Sequence, residues 1–446
     1  TIIDAGGNGS GILITDLTQF NYNSGELDTV LVKNFTIKNG TGTQDLTNPD
    51  GSGNESGGGI YVFNGDGVFK DIIFEYNTAN NGGGIMAQGA SIEIDRCIFR
   101  SNDCRGWGTA FWGRGVGVKM YNTLIHDNIY SGSNNEIGST INLSGGMYKF
   151  VNLTVANNSG YPIHAFDQNP TMALANSILT WHQGQGQRPY FNPGTQSYYY
   201  LYNNIIKTGI NTGGVFNDSS TVESFANYYF EPSFVDTANG DYRLADNSAA
   251  ISSGRNTLSI DGTSDFYQVD GLHSLDLDGN ARQQPVGSIV DIGAYENAGG
   301  VQAYTNRKWI VSADSPYGNG SVANPYPTIS HAINSVMELT GDTILVLDGT
   351  YEESISLQGP VGYDSLIVKS QNGPEVTIID APQADQGACL HISSDNVLFD
   401  GFTLTGGSGW QGAGGLISES PTLRNLIITD NHAEERGGGL VISGGV

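Results

Sequence analysis

The chain has 446 residues, 63 of them Gly and only 38% of them hydrophobic, and its 45 acidic against 19 basic side chains leave a formal net charge of −26. That composition is too polar for stacked helices and too regular in its apolar runs for disorder, and it suits many short strands joined by tight turns. The negative surface repels nucleic-acid phosphates and anionic membranes, which excludes both as expected partners.

Taken in chain order, the opening Thr1-Ile-Ile-Asp4 reads as the middle of a strand, and the final Ile442-Ser-Gly-Gly-Val446 as another incomplete unit. Both ends are therefore expected to be cuts in a longer molecule, with any export signal or anchor outside them. No run approaches the roughly 18 apolar residues that span a bilayer. Three cysteines do not make a disulfide framework, although Cys97 and Cys104 are near enough in sequence to pair.

A seven-residue phrase recurs from Asn34 onward: Asn34-Phe-Thr-Ile-Lys-Asn-Gly40, Asp71-Ile-Ile-Phe-Glu-Tyr-Asn77, Arg96-Cys-Ile-Phe-Arg-Ser-Asn102 and Asn122-Thr-Leu-Ile-His-Asp-Asn128. It continues at Asn152, Asn176 and Asn203, with starts separated by 37, 25, 26, 30, 24 and 27 residues. The long first gap holds a polar insert from Thr41 to Ser56, a loop by composition. Gly57-Gly-Gly-Ile60 and Gly82-Gly-Gly-Ile85 add a second marker, 25 residues apart. Each unit is thus a strand, a Gly or Asn corner, another strand and another corner, and none can bury its apolar face alone. Coiling the chain so that units lie on one another predicts an all-β, right-handed parallel β-helix, a solenoid with strands about 4.8 Å apart. Asn77, Asn102, Asn128, Asn158 and Asn431 share the last place of the phrase and are expected to form a structural ladder of amides, with ligand binding as the other reading.

Tyr228 to Asn297 breaks the rhythm and is expected to close the end of the first solenoid. Beyond it, Tyr326 to Glu338 is the one convincing helix. Ile329, Ile333, Val336 and Met337 fall on one face, Thr328 can cap its start, and Gly341 stops it. Lying before the strand Thr343-Ile-Leu-Val-Leu347, it is expected to cap a second stack. Thr1-Ile-Ile-Asp-Ala5 returns as Thr377-Ile-Ile-Asp-Ala381, 376 residues later. Residues 1–227 are accordingly read as rungs of a first unit, 228–299 as its closing segment, 300–308 as a linker, and 309–446 as the cap and first rungs of a second.

These motifs carry a resemblance. The Phe-x-x-Asn and Gly-Gly-x-Ile alternation (Phe74 to Asn77, Phe99 to Asn102, Gly57 to Ile60, Gly82 to Ile85) resembles the repeats of polymorphic outer-membrane proteins. Asp241-Tyr-Arg-Leu244, Ala249-Ala-Ile-Ser-Ser-Gly254, Asp276-Leu-Asp-Gly-Asn-Ala-Arg282 and Asp291-Ile-Gly-Ala-Tyr-Glu296 look like the closing segment of bacterial β-helix proteins termed choice-of-anchor Q. Trp309-Ile-Val-Ser-Ala313, Asn324-Pro-Tyr-Pro-Thr-Ile329 and Gly349-Thr-Tyr-Glu352 are similar to the N-terminal cap of right-handed β-helix proteins. The resemblance implies a secreted or cell-surface bacterial protein and says little of activity, because the fold hosts lyases, epimerases, adhesins and fibres.

Two functions follow as expectations. A structural or adhesive protein built of tandem units, associating with itself or with neighbouring repeats, gains length with every copy. An extracellular polysaccharide lyase or carbohydrate-binding protein would instead hold an acidic glycan, with a Lys or Arg as base and a cation on the sugar carboxylate. The candidate contacts are Lys70, Arg96, Arg100, Arg114, Lys119 and Trp112, and the competing reading pairs these cations with neighbours such as Asp71 and Asp95. No catalytic residue is assigned. Asp276, Asp278 and Asn280 begin like a Ca²⁺ loop, yet Gly287 stands where its bidentate Glu belongs. That turn is expected to order the closing segment instead, with Arg282 answering Asp291 or Glu296. Trp107, Trp112, Trp181-His182 and Tyr198 to Tyr202 form an aromatic group able either to stack on sugars or to fill the stack.

Overall fold

The computed structural model describes residues 1–15, 29–44, 54–132, 138–165, 168–183, 190–191, 198–206, 221–225, 232–248, 250–259, 266–268, 274–284, 288–298, 308–315, 320, 322–323, 325–336, 342–357, 365–382 and 387–443. They form a nearly all-β chain of about 11 stacked turns, a parallel β-helix with almost no helix.

The seven-residue phrase explains the narrow sheet of the first stack. Its first residue adopts a left-handed backbone (Asn34, Asp71, Arg96, Asn122, Asn152, Asn176, Asn203), and in five repeats so does its sixth (Asn39, Tyr76, Ser101, Asp127, Asn157). Between two such corners there is room for a strand of about three residues, as in Ile73–Glu75 and Ile98–Arg100. Eight of these strands pair in parallel, from Ile2–Asp4 to Ile205–Ile206. Their inward side chains form one column, Ile37, Phe74, Phe99, Ile125, Val155, Leu179 and Ile206, all buried. The Phe74 and Phe99 rings stack 4.5 Å apart.

A broad, 13-stranded sheet closes the other side, and a small 3-stranded sheet (Thr78–Ala79, Asp103–Cys104, Ile129–Tyr130) lies at the corner between them. The Gly-Gly-Gly marker forms that corner because backbones cross closely there. A Cβ on Gly58 would stand 2.4 Å from the carbonyl oxygen of Gly83 one turn away. The polar insert leaves the stack through an antiparallel pair, Thr43–Gln44 with Glu55–Ser56. Cys97 and Cys104 lie on different corners, and both are buried free thiols, so the considered disulfide does not form. Burial pushes the Cys97 thiol up to about 12.

The stretch from Tyr228 to Asn297, expected to close the first stack, is described in part. Its described residues lie against the outer face of the narrow sheet, where Leu124, Ala156, Ile178 and Ile205 pack against Tyr242, Leu244, Ile251, Ile292 and Ala294. The backbone N–H groups of Gly293 and Ala294 bond to Asn176 and Thr154 of the rungs. The physical reason is that these rungs carry apolar residues on both faces, and a sheet face without charge must be covered.

The second stack has its own core, running from Trp309 to Ile417, separate from the one spanning Ile14 to Ile206. Its sheets hold five, four, four and two strands. The helix Ile329–Val336 buries Ile329, Ala332 and Ile333 against it. Thr328 Oγ1 accepts the His331 N–H at 3.1 Å, and the Glu353 carboxylate accepts those of Ile329 and Ser330 at 2.7 and 2.9 Å. Met337 and Gly341 lie outside the described residues. One buried contact ties the lateral segment to this cap, Ser253 Oγ to His331 Nε2 at 2.9 Å.

Candidate functional site

The asparagine column is a continuous amide ladder over four turns. Asn77 Nδ2 donates to Asn102 Oδ1, Asn102 Nδ2 to Asn128 Oδ1, and Asn128 Nδ2 to Asn158 Oδ1, each at 2.9 Å. Every Oδ1 receiving these bonds also accepts the backbone N–H of the preceding asparagine. All four side chains are buried with their donors and acceptors engaged, which leaves no group for a ligand. Asn431 does not join them. It takes the equivalent corner of the second stack, where its Oδ1 accepts from Gly407 N at 2.9 Å and from Cys389 Sγ at 3.1 Å.

The candidate glycan contacts do not form one constellation. Arg96 grips Asp71 with Nε and Nη2 at 2.8 and 3.0 Å and Asp95 with Nη1 at 2.9 Å. Arg100 binds Glu75 at 2.7 Å, within an outward column that alternates in sign: Asp4, Lys38, Glu75, Arg100. Trp112 lies on another stretch of wall, packed against Tyr61, Phe63 and Met86. Arg114 follows it, in register with Gln88 and Ser144. The aromatic group is likewise dispersed: Trp107 stacks on His164 at 4.8 Å, and Tyr200 on Tyr202 at 6.5 Å beside Ala173. Burial pushes the His164 imidazole down to about 4. The side chains of Trp181, His182 and Tyr198 lie outside the described residues.

Lys119 lines a groove whose Glu93 is paired with Lys70. An open groove of about 450 Å³ crosses the outer face of the broad sheet, lined by Asp66, Val68, Ser91, Glu93, Gly117, Lys119, Met147 and Lys149 among others. Period-two alternation aims these side chains outward while Phe69, Ile92, Val118 and Tyr148 point into the core. Register places Val68, Glu93, Lys119 and Lys149 side by side on four successive strands. Lys70 Nζ meets Glu93 Oε1 at 2.9 Å, and Asp66 accepts the Ser91 N–H. Lys119 and Lys149 thus face each other directly, and Lys33 stands opposite Lys70 on the same face. Sequence reasoning missed Lys149 because nothing local marks it: only the 30-residue spacing from Lys119 puts it on the next turn.

The two aspartates of the Asp276 turn face different ways. Asp276 is buried and accepts the N–H groups of Asn280 and Glu296, whereas Asp278 points outward to Arg243 at 2.6 Å. Arg282 is fully buried, gives two bonds to Asn122 Oδ1, and stands 3.6 Å from Glu296. Burial pushes the Asp291 carboxyl up to about 7, and burial together with Asp291 raises that of Glu296 well above its usual range. Among the described residues no group of three or more His, Cys, Asp or Glu is placed to hold a metal ion. Comparison with protein-family models, curated proteins and solved structures finds no match to this chain.

Proposed function

We propose that this chain belongs to a secreted or cell-surface structural or adhesive protein in which β-helix units follow one another. One observation supports this above the rest: a single chain holds two stacks with separate cores, the second opening under its own capping helix. Each stack contributes length and a stiff charged surface, and serial copies multiply both. Electron microscopy of the protein isolated from its source tests the reading. The expected image is an elongated particle built of several units, and a free single-stack particle would overturn it.

A further inference from the structure

We propose that the lateral segment of the first unit is the socket for the cap helix of the second, so that consecutive units meet in a fixed joint and do not swivel about the chain between them. The inference rests on the reading of serial β-helix units and names what holds one to the next.

The cap helix is covered on both sides. Successive helical residues are about 100° apart around the axis, so His331 points away from the second core that Ile329 and Ile333 enter. A helix lying on one stack alone presents that position to solvent, yet His331 is 1% exposed. Two groups enclose it, one from each unit. The Tyr326 ring of the second unit stacks on the imidazole at 4.6 Å, and Ser253 Oγ of the lateral segment stands 2.9 Å from Nε2. Ser253 Oγ gives its own hydrogen to Ile251 O at 3.2 Å, so it accepts from the imidazole Nε2–H.

Both sides of this contact are anchored. Ile251 belongs to the apolar layer over the narrow sheet, Ser252 N donates to Asp291 Oδ1 at 2.7 Å, and Gly254 N donates to Val290 O at 2.9 Å. The Asn176 amide, beside the strand that starts at Ile178, bonds to both the N–H and the carbonyl of Arg255. In the second unit the Tyr326 ring stacks on Trp309 at 5.8 Å, and the Tyr326 backbone bonds to Ile310 and Ser312. Buried contacts therefore run without a break from the rungs of one stack to the first strand of the next. Units joined by chain alone move relative to one another by default. A buried hydrogen bond opposes that motion because it is directional, and turning the helix strands both partners away from water.

Spin labels on Lys119→Cys and Trp410→Cys, one exposed site in each stack, test this by electron spin resonance on the full chain. Labelling is confined to that pair, because Cys97, Cys104 and Cys389 are buried. The expected result is one narrow distribution of distances. His331→Ala and Ser253→Ala should each widen it about twofold, whereas His331→Gln, whose amide N–H can replace Nε2–H, should keep it narrow. Circular dichroism should be unchanged in all three. Ser253→Ala removes a single oxygen and decides the matter if His331→Ala does not fold. A parent distribution as wide as those of the variants, or one equally narrow in the parent and both alanine variants, would overturn the proposal. A rod of several units with a broad parent distribution loses this joint and keeps the serial reading; a narrow, His331-dependent distribution in a protein whose source particle is not built of several units does the reverse.

Discussion

Replacing Asn102 probes the amide ladder at its middle. Its Oδ1 accepts both the backbone N–H and the Nδ2 of Asn77, while its Nδ2 donates to Phe74 O and Asn128 Oδ1. Asn102→Ala removes all four bonds from a site with no solvent exposure and strands the Asn77 backbone N–H. A buried donor left without a partner costs about 1–3 kcal/mol, and with the lost amide bonds and a small cavity the total comes to about 4 kcal/mol. Asn102→Asp separates hydrogen bonding from volume. It keeps the acceptor for Asn77 but turns a carboxylate oxygen toward two oxygens, so at neutral pH it should cost more than alanine. Burial raises the carboxyl of the new aspartate, so the folded state holds a proton that the unfolded state releases. Stability is therefore regained as pH falls toward about 4, where the protonated group donates again. Urea unfolding with an unchanged slope measures both variants, and Asn431→Ala, half-buried in the second stack, should cost only about 1 kcal/mol. A cost below about 1 kcal/mol for Asn102→Ala, or an aspartate variant indifferent to pH, would refute the ladder as a source of stability.

Tyr76 holds a left-handed backbone with its side chain 59% exposed, so Tyr76→Asn, matching Asn39 and Asn157 at the same corner, should stabilise by about 1 kcal/mol in the same urea assay. Gly58→Ala drives a methyl into the Gly83 carbonyl and should cost about 3 kcal/mol or abolish soluble expression, while Ala at Gly115, where a Cβ meets nothing within 4 Å, should cost only its backbone strain. The folded-state carboxyls of Asp291 and Glu296 both lie above their unfolded values, so the stability they contribute is present at low pH and is lost as pH rises, for Asp291 between about 4 and about 7. Melting of the lateral segment should therefore be lower at pH 8 than at about pH 5, and Glu296→Gln, which keeps an acceptor for Asp291 N, should flatten that difference in calorimetry.

The narrow sheet was legible because its cause is local: two left-handed corners and the strand between them all fall within seven consecutive residues. The helix cap at Thr328 was legible for the same reason. Lateral docking of the 232–298 stretch was not, since it joins residues up to 160 positions apart, as Arg282 and Asn122 show. A signal was nevertheless present. The fifth place of the phrase points outward and reads Lys38, Glu75, Arg100 and His126 in the early turns, then Ala156 and Thr180. Loss of charge from an outward position means that something covers it. Arg96 holds Asp71 and Asp95, the pairing that the competing reading of the sequence named, whereas Glu75, the partner of Arg100, sits 25 residues away and one turn below.

That spacing makes charge on a solenoid easier to interpret than charge on a globule. A parallel stack repeats each outward position every turn, so a column of alternating sign resists sliding by a turn as well as joining neighbours. Pairs such as Asp71–Arg96 and Asp400–Arg424 are partly exposed, worth little each in energy, and act chiefly on register. Under this logic a column that places like charges together adds nothing to register and costs stability.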